Sequence, residues 1–294
     1  MDQWDDMRVF LAVARAESLS RAAPRLRMDA ATVGRRIARL EARVGACFVK
    51  SPQGYALTDL GARMLPAAEA AEAALGQVAE AAEAQTGQLS GQIRIGAPDG
   101  AANYLLPQVC ARIGAENPGL EIQILALPRV VNLSKREADM ALTVSRPDAG
   151  RLLVQKITDY RLHLAAEAQI AAKITTRADL KDVPFVGYIP DMIFDKELDY
   201  LGPLAAGGVQ LASNSVAVQA MALRAGAGVG IVHDFALPAM PEVRRVLTEE
   251  VSLVRSFYLV RHLSDRKSER LTRFAEAVSA GLRAEVARLE GAIP

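Results

Sequence analysis

Residues 18–45 read SLSRAAPRLRMDAATVGRRIARLEARVG, a pattern of two short helices joined by a turn. Ser18 or Ser20 can cap the first helix, because a hydroxyl accepts hydrogen bonds from the free amides of a helix start. Asp29 can cap the second helix, where its charge also suits the positive end of the helix dipole. Apolar residues of the second helix recur every three or four positions and predict one buried stripe: Val33, Ile37, Leu40 and Val44.

The same region is strongly basic. Between Ser18 and Lys50, eight basic residues face two acidic ones, a local net charge of +6 on a chain whose overall charge is +1. The basic residues are Arg21, Arg25, Arg27, Arg35, Arg36, Arg39, Arg43 and Lys50. Such an excess on a helix-turn-helix favours DNA, because each neutralised phosphate releases counterions. A solvated basic helix pair is the alternative, and the capped turn argues against it.

The residues after the helix pair predict a small β-hairpin. Cys47–Leu57 reads as two short strands around a Pro/Gly turn, the pattern of a wing. Lys50, Ser51 and Gln53 would then reach the DNA backbone or the minor groove. The alternative for Lys50 is a solvated turn lysine.

These motifs together resemble the amino-terminal domain of LysR-type transcriptional regulators. The resemblance is carried by Ser18-x-Ser-x-Ala-Ala-x-x-Leu26, Thr32-Val-x-Arg35-x-Ile37-x-x-Leu-Glu41-x-x-x-Gly45, Phe48-x-Lys50 and Leu57-Thr58-x-x-Gly61, over about residues 1–65. The family usually has small hydroxyl or amide residues where this chain has Ala30 and Gly34. Fewer hydrogen bonds to base edges are then available, so the family's target sequences do not carry over.

The resemblance implies which side chains meet DNA. Thr32 and Arg35 would face bases, and Arg35 is suited to a guanine edge. Arg36, Arg39 and Lys50 would hold phosphates. The full predicted set is Ser18, Arg21, Asp29, Ala30, Ala31, Thr32, Arg35, Arg36, Arg39, Lys50 and Gln53.

Bulk properties narrow the class of protein. A length of 294 residues suggests two or three structural units, and 51% hydrophobic residues suffice for real cores. The apolar runs are too short to span a membrane, and the acidic start Met1–Asp6 does not resemble an export leader, so we expect a cytoplasmic protein. Cys47 and Cys110 fall in different predicted domains, and the histidines match no metal-ligand spacing. We therefore expect no disulfide, metal or cofactor.

A long helix should follow the wing. Thr58 can cap it, and the alanine-rich segment from about Asp59 to Gln85 would form a rod of roughly 40 Å. Residues 66–90 contain four glutamates and no lysine or arginine, so this helix would avoid DNA. Its alanine face permits close helix contact and favours a dimerisation role, with a mere spacer as the alternative. Pro66 should kink the rod or open its first turn.

Beyond the flexible boundary Thr86–Gly91 the periodicity changes to short apolar runs separated by helical stretches. The expected strands are 92–96, 120–127, 139–144, 160–165, 185–187, 209–212, 229–232 and 257–261. The expected helices are 101–115, 130–136, 178–180, 216–225 and 267–289. The alternation predicts α/β sheets with parallel strands, similar to the family's two-lobed effector domain, itself like periplasmic binding proteins.

We therefore predict an α+β multidomain protein with three parts. Residues 1–58 form a winged helix-turn-helix DNA-binding domain, residues 59–90 a linker and dimerisation helix, and residues 91–294 an effector-binding domain. On the family resemblance, lobe one of the effector domain comprises residues 91–161 and 265–290, and lobe two comprises residues 162–264.

A ligand would sit beyond the carboxyl ends of the strands, where helix amides point outward. Four such segments are Ala97–Gly100, Val144–Arg146, Ser213–Ser215 and Val232–Asp234, with an apolar wall from residues 186–194. The predicted effector-binding residues are Pro98, Asp99, Gly100, Ser145, Tyr188, Asn214, Ser215, Val232 and His233. Ser213–Ser215 could instead be only a helix cap, and His233 a surface loop histidine.

Asp99 departs from related regulators, which often have Ser or Thr near that helix start. A carboxylate there would repel an anionic effector bound to the same amides. We expect an effector that is uncharged or carries an amine, or one that is held mainly in lobe two.

Two functions of different classes remain. The first is a DNA-binding transcription regulator that responds to a small molecule, and the resemblance adds a homodimer or homotetramer on an imperfect palindrome, with RNA polymerase as a further partner. The second is a solute-binding or enzyme domain with an incidental helical head. An enzyme would need a nucleophile–base pair, paired carboxylates or a metal set. None is recognisable: His233 and Asp234 are merely neighbours in sequence.

Overall fold

A computed structural model describes residues 2–51, 54–83, 87–126, 132–148, 150–205 and 208–293. The chain divides into two compact units. Unit one contains Met1–Gly87 with Asn132–Glu137 and Leu263–Arg270, and unit two contains the remainder. The elements of unit one are α1 (Asp2–Ala16), α2 (Leu19–Leu26), α3 (Ala30–Val44), β1 (Phe48–Ser51), β2 (Gly54–Leu57) and α4 (Asp59–Glu83).

The first three helices of unit one share one apolar core. Phe10 of α1 is fully buried, and its ring lies 5.3 Å from the ring of Phe48 on β1. The predicted stripe of α3 is buried at Val33, Ile37 and Leu40. It is wrong at Val44, which is 40% exposed, because α3 ends there and its last side chain passes beyond the core.

The wing and the long helix form where the sequence predicts them. β1 and β2 pair antiparallel from Phe48↔Leu57 to Ser51↔Gly54. The Thr58 hydroxyl accepts a hydrogen bond from the Gly61 amide at 3.1 Å, the cap expected for α4. Pro66 lies inside this one helix of 25 residues. Residues 84–86, where the helix was expected to end, lie outside the described residues.

Unit two is built on one mixed sheet. Its elements are β3 (Gly91–Ala97), α5 (Asp99–Tyr104), α6 (Leu106–Glu116), β4 (Leu120–Ala126), β5 (Met140–Thr143), β6 (Leu152–Glu167), α7 (Ala168–Ala171), β7 (Val186–Gly187), β8 (Leu211–Ala212), α8 (Val216–Arg224), β9 (Val229–His233), β10 (Val243–Arg245), β11 (Ser252–His262) and α9 (Glu269–Glu290). The strand order is β10-β6-β11-β5-β3-β4, with β9 also paired to β6.

Two long strands join the two lobes of this unit. β6 is 16 residues long and pairs antiparallel with β11 from Leu152↔His262 to His163↔Ser252. Lobe one contains the parallel strands β3, β4 and β5, and lobe two contains β9 and β10, both antiparallel to β6. The prediction of parallel strands is therefore right for β3–β5 and for the small β7–β8 pair, and wrong for the strands that join and extend the lobes.

Several element predictions need correction. The helix expected at 101–115 is two helices, α5 and α6, because the backbone departs from ideal helical geometry at Leu105, with φ of −119°, and Pro107 has no amide hydrogen to continue the helical bonds. The described part of the helix expected at 130–136 forms turns instead. The short edge strand β10 was not predicted, since three residues carry too little periodicity.

Aromatic stacking organises the core of unit two. The Tyr160 and Phe257 rings stack at 4.2 Å on β6 and β11, and Phe274 of α9 is fully buried. Among the described residues, no helix combines the length and apolarity needed to cross a bilayer.

Candidate nucleic-acid interface and effector cleft

Two side-chain caps define the helix-turn-helix. The Ser18 hydroxyl accepts a hydrogen bond from the Arg21 amide, and the Asp29 carboxylate accepts one from the Thr32 amide at 2.8 Å. α2 ends at Arg27 in the left-handed region, with φ of +54°. The caps set where each helix begins, and so which side chains project from the start of α3.

A chain of short hydrogen bonds orders the outer face of α3. The Thr32 hydroxyl donates to Asp29 at 2.7 Å, and the Arg35 guanidinium donates to the Thr32 hydroxyl at 2.6 Å. The hydroxyl and amide of Thr32 hold the pKa of Asp29 below its ordinary value. Arg35 is exposed. The base-facing pair expected from the sequence is therefore held in one arrangement on the surface.

Asp6 of α1 holds the other arginines of α3. Its carboxylate is 0% exposed and accepts hydrogen bonds from Arg39 at 2.5 and 3.2 Å and from Arg43 at 2.9 Å. Arg36 lies 3.8 Å away. The side chains of Arg36, Arg39 and Arg43 remain 27%, 51% and 41% exposed. One buried negative charge thus positions three guanidinium groups that still reach solvent.

The remaining predicted DNA contacts lie on the surface of the same unit. Arg21, Ala31 and Lys50 are exposed, and Ser18 and Ala30 are half-buried. Gln53 lies outside the described residues. Asp6 was not predicted as part of this interface, because nothing in its local sequence shows that it meets α3.

Glu41 has a structural role that the motif alone did not explain. Its carboxylate accepts the amides of Cys47 and Phe48 at 2.8 and 3.0 Å. It thereby ties the end of α3 to the first strand of the wing, and fixes the wing that carries Lys50.

A carboxylate of lobe one accepts hydrogen bonds from lobe two. Asp99, the first residue of α5, accepts hydrogen bonds from the Ser215 hydroxyl at 3.0 Å and from the Ala217 amide at 3.1 Å. Ser215 also caps α8 by accepting from the Val218 amide. Ser215 is thus a helix cap, and its contact with a ligand stays a prediction.

A carboxylate of lobe two accepts a hydrogen bond from lobe one. Asp195 lies on the lobe-two side, and its Oδ2 is 2.5 Å from the Ser145 hydroxyl, which follows β5 of lobe one. Each lobe therefore contributes one carboxylate to the other across the cleft.

His233 is buried, so the alternative of a surface loop histidine is wrong. It ends β9 and is 5% exposed, and burial lowers its pKa to about 3. Gly100 lies against its ring, since a Cβ at this position would be 3.2 Å from the imidazole Cε1. His233 is accordingly neutral near pH 7.

A cavity of about 340 Å³ opens in lobe two beside the cleft. Its lining is mostly apolar and aromatic, and Tyr188, Asp199, Tyr200 and Gln219 contribute polar groups. Tyr188 is half-buried; its pKa is raised by burial first, and also by the charges of Tyr200 and Asp99. The structure thus brings Asp99, Gly100, Ser215, His233 and Tyr188 near one another.

Three further predicted effector residues border this group. Pro98 precedes α5, Asn214 immediately precedes Ser215 and is half-buried, and Val232 is 5% exposed within β9. Sequence reasoning missed Asp195 and Tyr200, whose positions depend on loops without a readable motif. Among the described residues, no cluster of histidine, cysteine, aspartate and glutamate could hold a metal ion.

Two family descriptions match this chain. Residues 4–62 match the bacterial regulatory helix-turn-helix protein of the lysR family, and residues 86–283 match the LysR substrate binding domain. The chain belongs to the LysR family. Members of this family are transcriptional regulators, and the enzyme alternative is therefore set aside.

Two curated relatives match part of this chain. The Mau operon transcriptional activator of Paracoccus denitrificans is 28% identical over 166 residues, 55% of this chain and 57% of that protein. The HTH-type transcriptional regulator DgdR of Burkholderia cepacia is 33% identical over 151 residues, 50% of each. The chain thus spans about half the length of these relatives.

A solved structure extends the likeness of fold to nearly the whole chain. Full-length OxyR C199D from Pseudomonas aeruginosa has a TM-score of 0.69 and 17% identity, covering 95% of this chain and 97% of that one. At this identity the comparison concerns the fold alone. It supports the winged helix-turn-helix and two-lobed α/β architecture.

Proposed function

We propose that this protein is a transcription regulator that reads double-stranded DNA through α3 and responds to a small molecule bound between the lobes of unit two. The observation that carries the proposal is the ordered series Asp29–Thr32–Arg35 on the exposed start of a capped helix. A guanidinium held in one arrangement loses less rotamer entropy when it meets a base edge.

Base reading and phosphate binding fall to different arginines. Thr32 and Arg35 read bases, with Arg35 donating to a guanine edge. Arg36, Arg39 and Lys50 hold phosphates and set the register of the helix in the groove. Ser18, Arg21, Asp29, Ala30, Ala31 and Gln53 complete the interface.

The domain organisation follows from these roles. Residues 1–58 form the DNA-binding domain, residues 59–90 the linker helix, and residues 91–294 the effector domain, with lobe one at 91–161 and 265–290 and lobe two at 162–264. The protein works in the cytoplasm, where the DNA of a bacterial cell lies.

The functional form is a homodimer or a homotetramer. In support, α4 exposes Leu75 at 46% and Val78 at 67% on an alanine-rich helix. Such apolar side chains on a long helix favour burial against a second copy. A dimer presents two α3 recognition helices about 34 Å apart, which is one turn of DNA, to an imperfect palindrome.

The effector acts through the cleft. Pro98, Asp99, Gly100, Ser145, Tyr188, Asn214, Ser215, Val232 and His233 surround it, and β6 and β11 are the strands about which the lobes close. A ligand that binds more tightly when the lobes are closed shifts the assembly toward the closed form. This changes the spacing of the α3 recognition helices. RNA polymerase is the partner on which the bound regulator acts.

A gel-shift titration with the DNA upstream of the protein's own gene tests this function. We expect retention that falls steeply with salt. If each subunit of a dimer neutralises three or four phosphates, the logarithm of affinity should fall with a slope of about −5 to −7 against the logarithm of salt concentration. Random DNA of the same length and composition is the control. Absence of retention even at low salt would overturn the proposal.

A further inference from the structure

The amino end of α8 already holds an anion that belongs to the protein. α8 has nine residues, and its first amides carry the positive end of the helix dipole. A free carboxylate would normally be attracted to such a position. Here the Asp99 carboxylate fills it, accepting from the Ser215 hydroxyl and the Ala217 amide.

A residue of lobe one also holds the Asp99 carboxylate in place. Oδ1 of Asp99 also accepts from the Asn103 side chain at 3.0 Å, one turn further along α5. The Ser215 hydroxyl and the Ala217 and Val218 amides, which would bind an incoming carboxylate, are therefore already engaged. A second carboxylate about 4 Å from Asp99 would bind about 100-fold more weakly, or worse, than at an empty helix end.

The cavity beside this contact suits a ligand without negative charge. Apolar side chains provide most of its walls, including Ile193, Leu198 and Ile231, and the acidic residue in its lining is Asp199. The Tyr200 hydroxyl is buried beside the hydroxyl of Tyr160. Burial first, and then the charge of the neighbouring Tyr160, raises the pKa of Tyr200, so this hydroxyl stays protonated.

We propose that Asp99 determines the specificity of the effector site: its carboxylate occupies the anion position of α8, and the effector is a small molecule without negative charge, largely apolar, that fills the lobe-two cavity. This inference rests on the proposed function, because it names the class of ligand for the same cleft.

Chemical rescue of Asp99→Ala by acetate tests the proposal without knowledge of the effector. The variant empties the amino end of α8, and free acetate should then bind there. In full-length protein, about 100 mM sodium acetate should raise the melting temperature of D99A by about 2 °C or more, relative to sodium chloride at the same ionic strength. Wild type should show no acetate-specific change.

Asp179→Ala is the matched control, because Asp179 accepts two backbone amides, from Thr175 and Thr176, that precede a short 3-10 helix (Arg177–Asp182) and do not begin an α-helix, so its removal empties no anion position at a helix end. D179A should show no acetate-specific stabilisation. Should D99A fail to fold, D99S keeps a hydroxyl toward α8 and leaves room for acetate. Equal acetate effects on wild type and D99A, or none on D99A and D99S, would overturn the inference.

The same proteins separate this inference from the proposed function. Wild type that retains upstream DNA in a salt-sensitive way, combined with failed acetate rescue, removes only the role of Asp99. Wild type that fails to retain DNA at low salt removes the regulator function, whatever acetate does.

Discussion

Asp6→Asn removes a buried negative charge from beneath the arginines of α3 while keeping the size of the side chain. Asp6 accepts three hydrogen bonds from Arg39 and Arg43 and is 0% exposed. A hydrogen bond to a charged group contributes about 1.5–3 kcal/mol when buried. Because the two guanidinium groups are half exposed, and asparagine keeps one acceptor oxygen, we expect a loss of about 2 kcal/mol in the free energy of unfolding.

A tryptophan in the same helix provides the fluorescence signal for this measurement, and the neighbouring aspartate provides the control variant. Trp4, the single tryptophan of the chain, lies on α1 two residues before Asp6 and packs against the core of unit one. Urea unfolding followed by its fluorescence therefore reports on this unit. Asp5→Asn makes the same charge change at a half-exposed carboxylate 3.7 Å from Arg36, and should cost less than about 0.5 kcal/mol.

The two variants should behave alike toward DNA. Each removes one negative charge near the DNA-binding side of α3, and a unit charge about 10 Å from a phosphate contributes about 0.4 kcal/mol in water. Binding to random DNA should then tighten about twofold in both at low salt. If D6N unfolds at the same urea concentration as D5N, the buried carboxylate does not hold the arginines, and the account of Asp6 is refuted.

Three other perturbations check separate parts of the structure. Arg35→Ala should reduce the preference for operator over random DNA about tenfold or more, whereas Arg36→Ala should weaken both alike; an unchanged R35A footprint would contradict the assignment. The pKa of Glu72 is lowered, because the hydrogen bonds and charge of Arg15 outweigh a burial that alone would raise it. The stabilisation from a lowered carboxyl pKa is fully present above the ordinary pKa of 4.5 and is lost as the pH falls through the lowered pKa. Urea curves of Glu72→Gln and wild type should therefore differ by about 1 kcal/mol at pH 7 and converge as the pH falls below that lowered pKa. Burial lowers the pKa of His233 from 6.5 to about 3, so the unfolded chain binds the extra proton first and stability should fall with pH below 6.5, by up to about 1.4 kcal/mol per pH unit. In NMR spectra its ring signals should not titrate between pH 8 and 5, and a midpoint near 6.5 would show that the ring is not buried.

Features settled within a few residues could be predicted from the sequence. The caps at Ser18 and Asp29 and the cap of α4 at Thr58 each join groups three residues apart. The wing strands and most strands of unit two follow from short apolar runs. Val44 shows the limit of this reasoning, because periodicity does not reveal where a core ends.

Contacts between distant parts of the chain needed the tertiary structure. Asp6 meets Arg39 across 33 residues, and Asp99 meets Ser215 across 116. The length of β6 and β11 as joining strands, and the burial of His233, also depend on how the chain returns on itself. Local spacing alone determined the helix-turn-helix, its basic face and the α/β alternation, because caps and periodicities act within one or two turns of backbone. Which carboxylate neutralises which arginine, and which one fills the amino end of α8, was decided only by folding, since a charge has no preferred partner until the backbone brings one within a few ångströms.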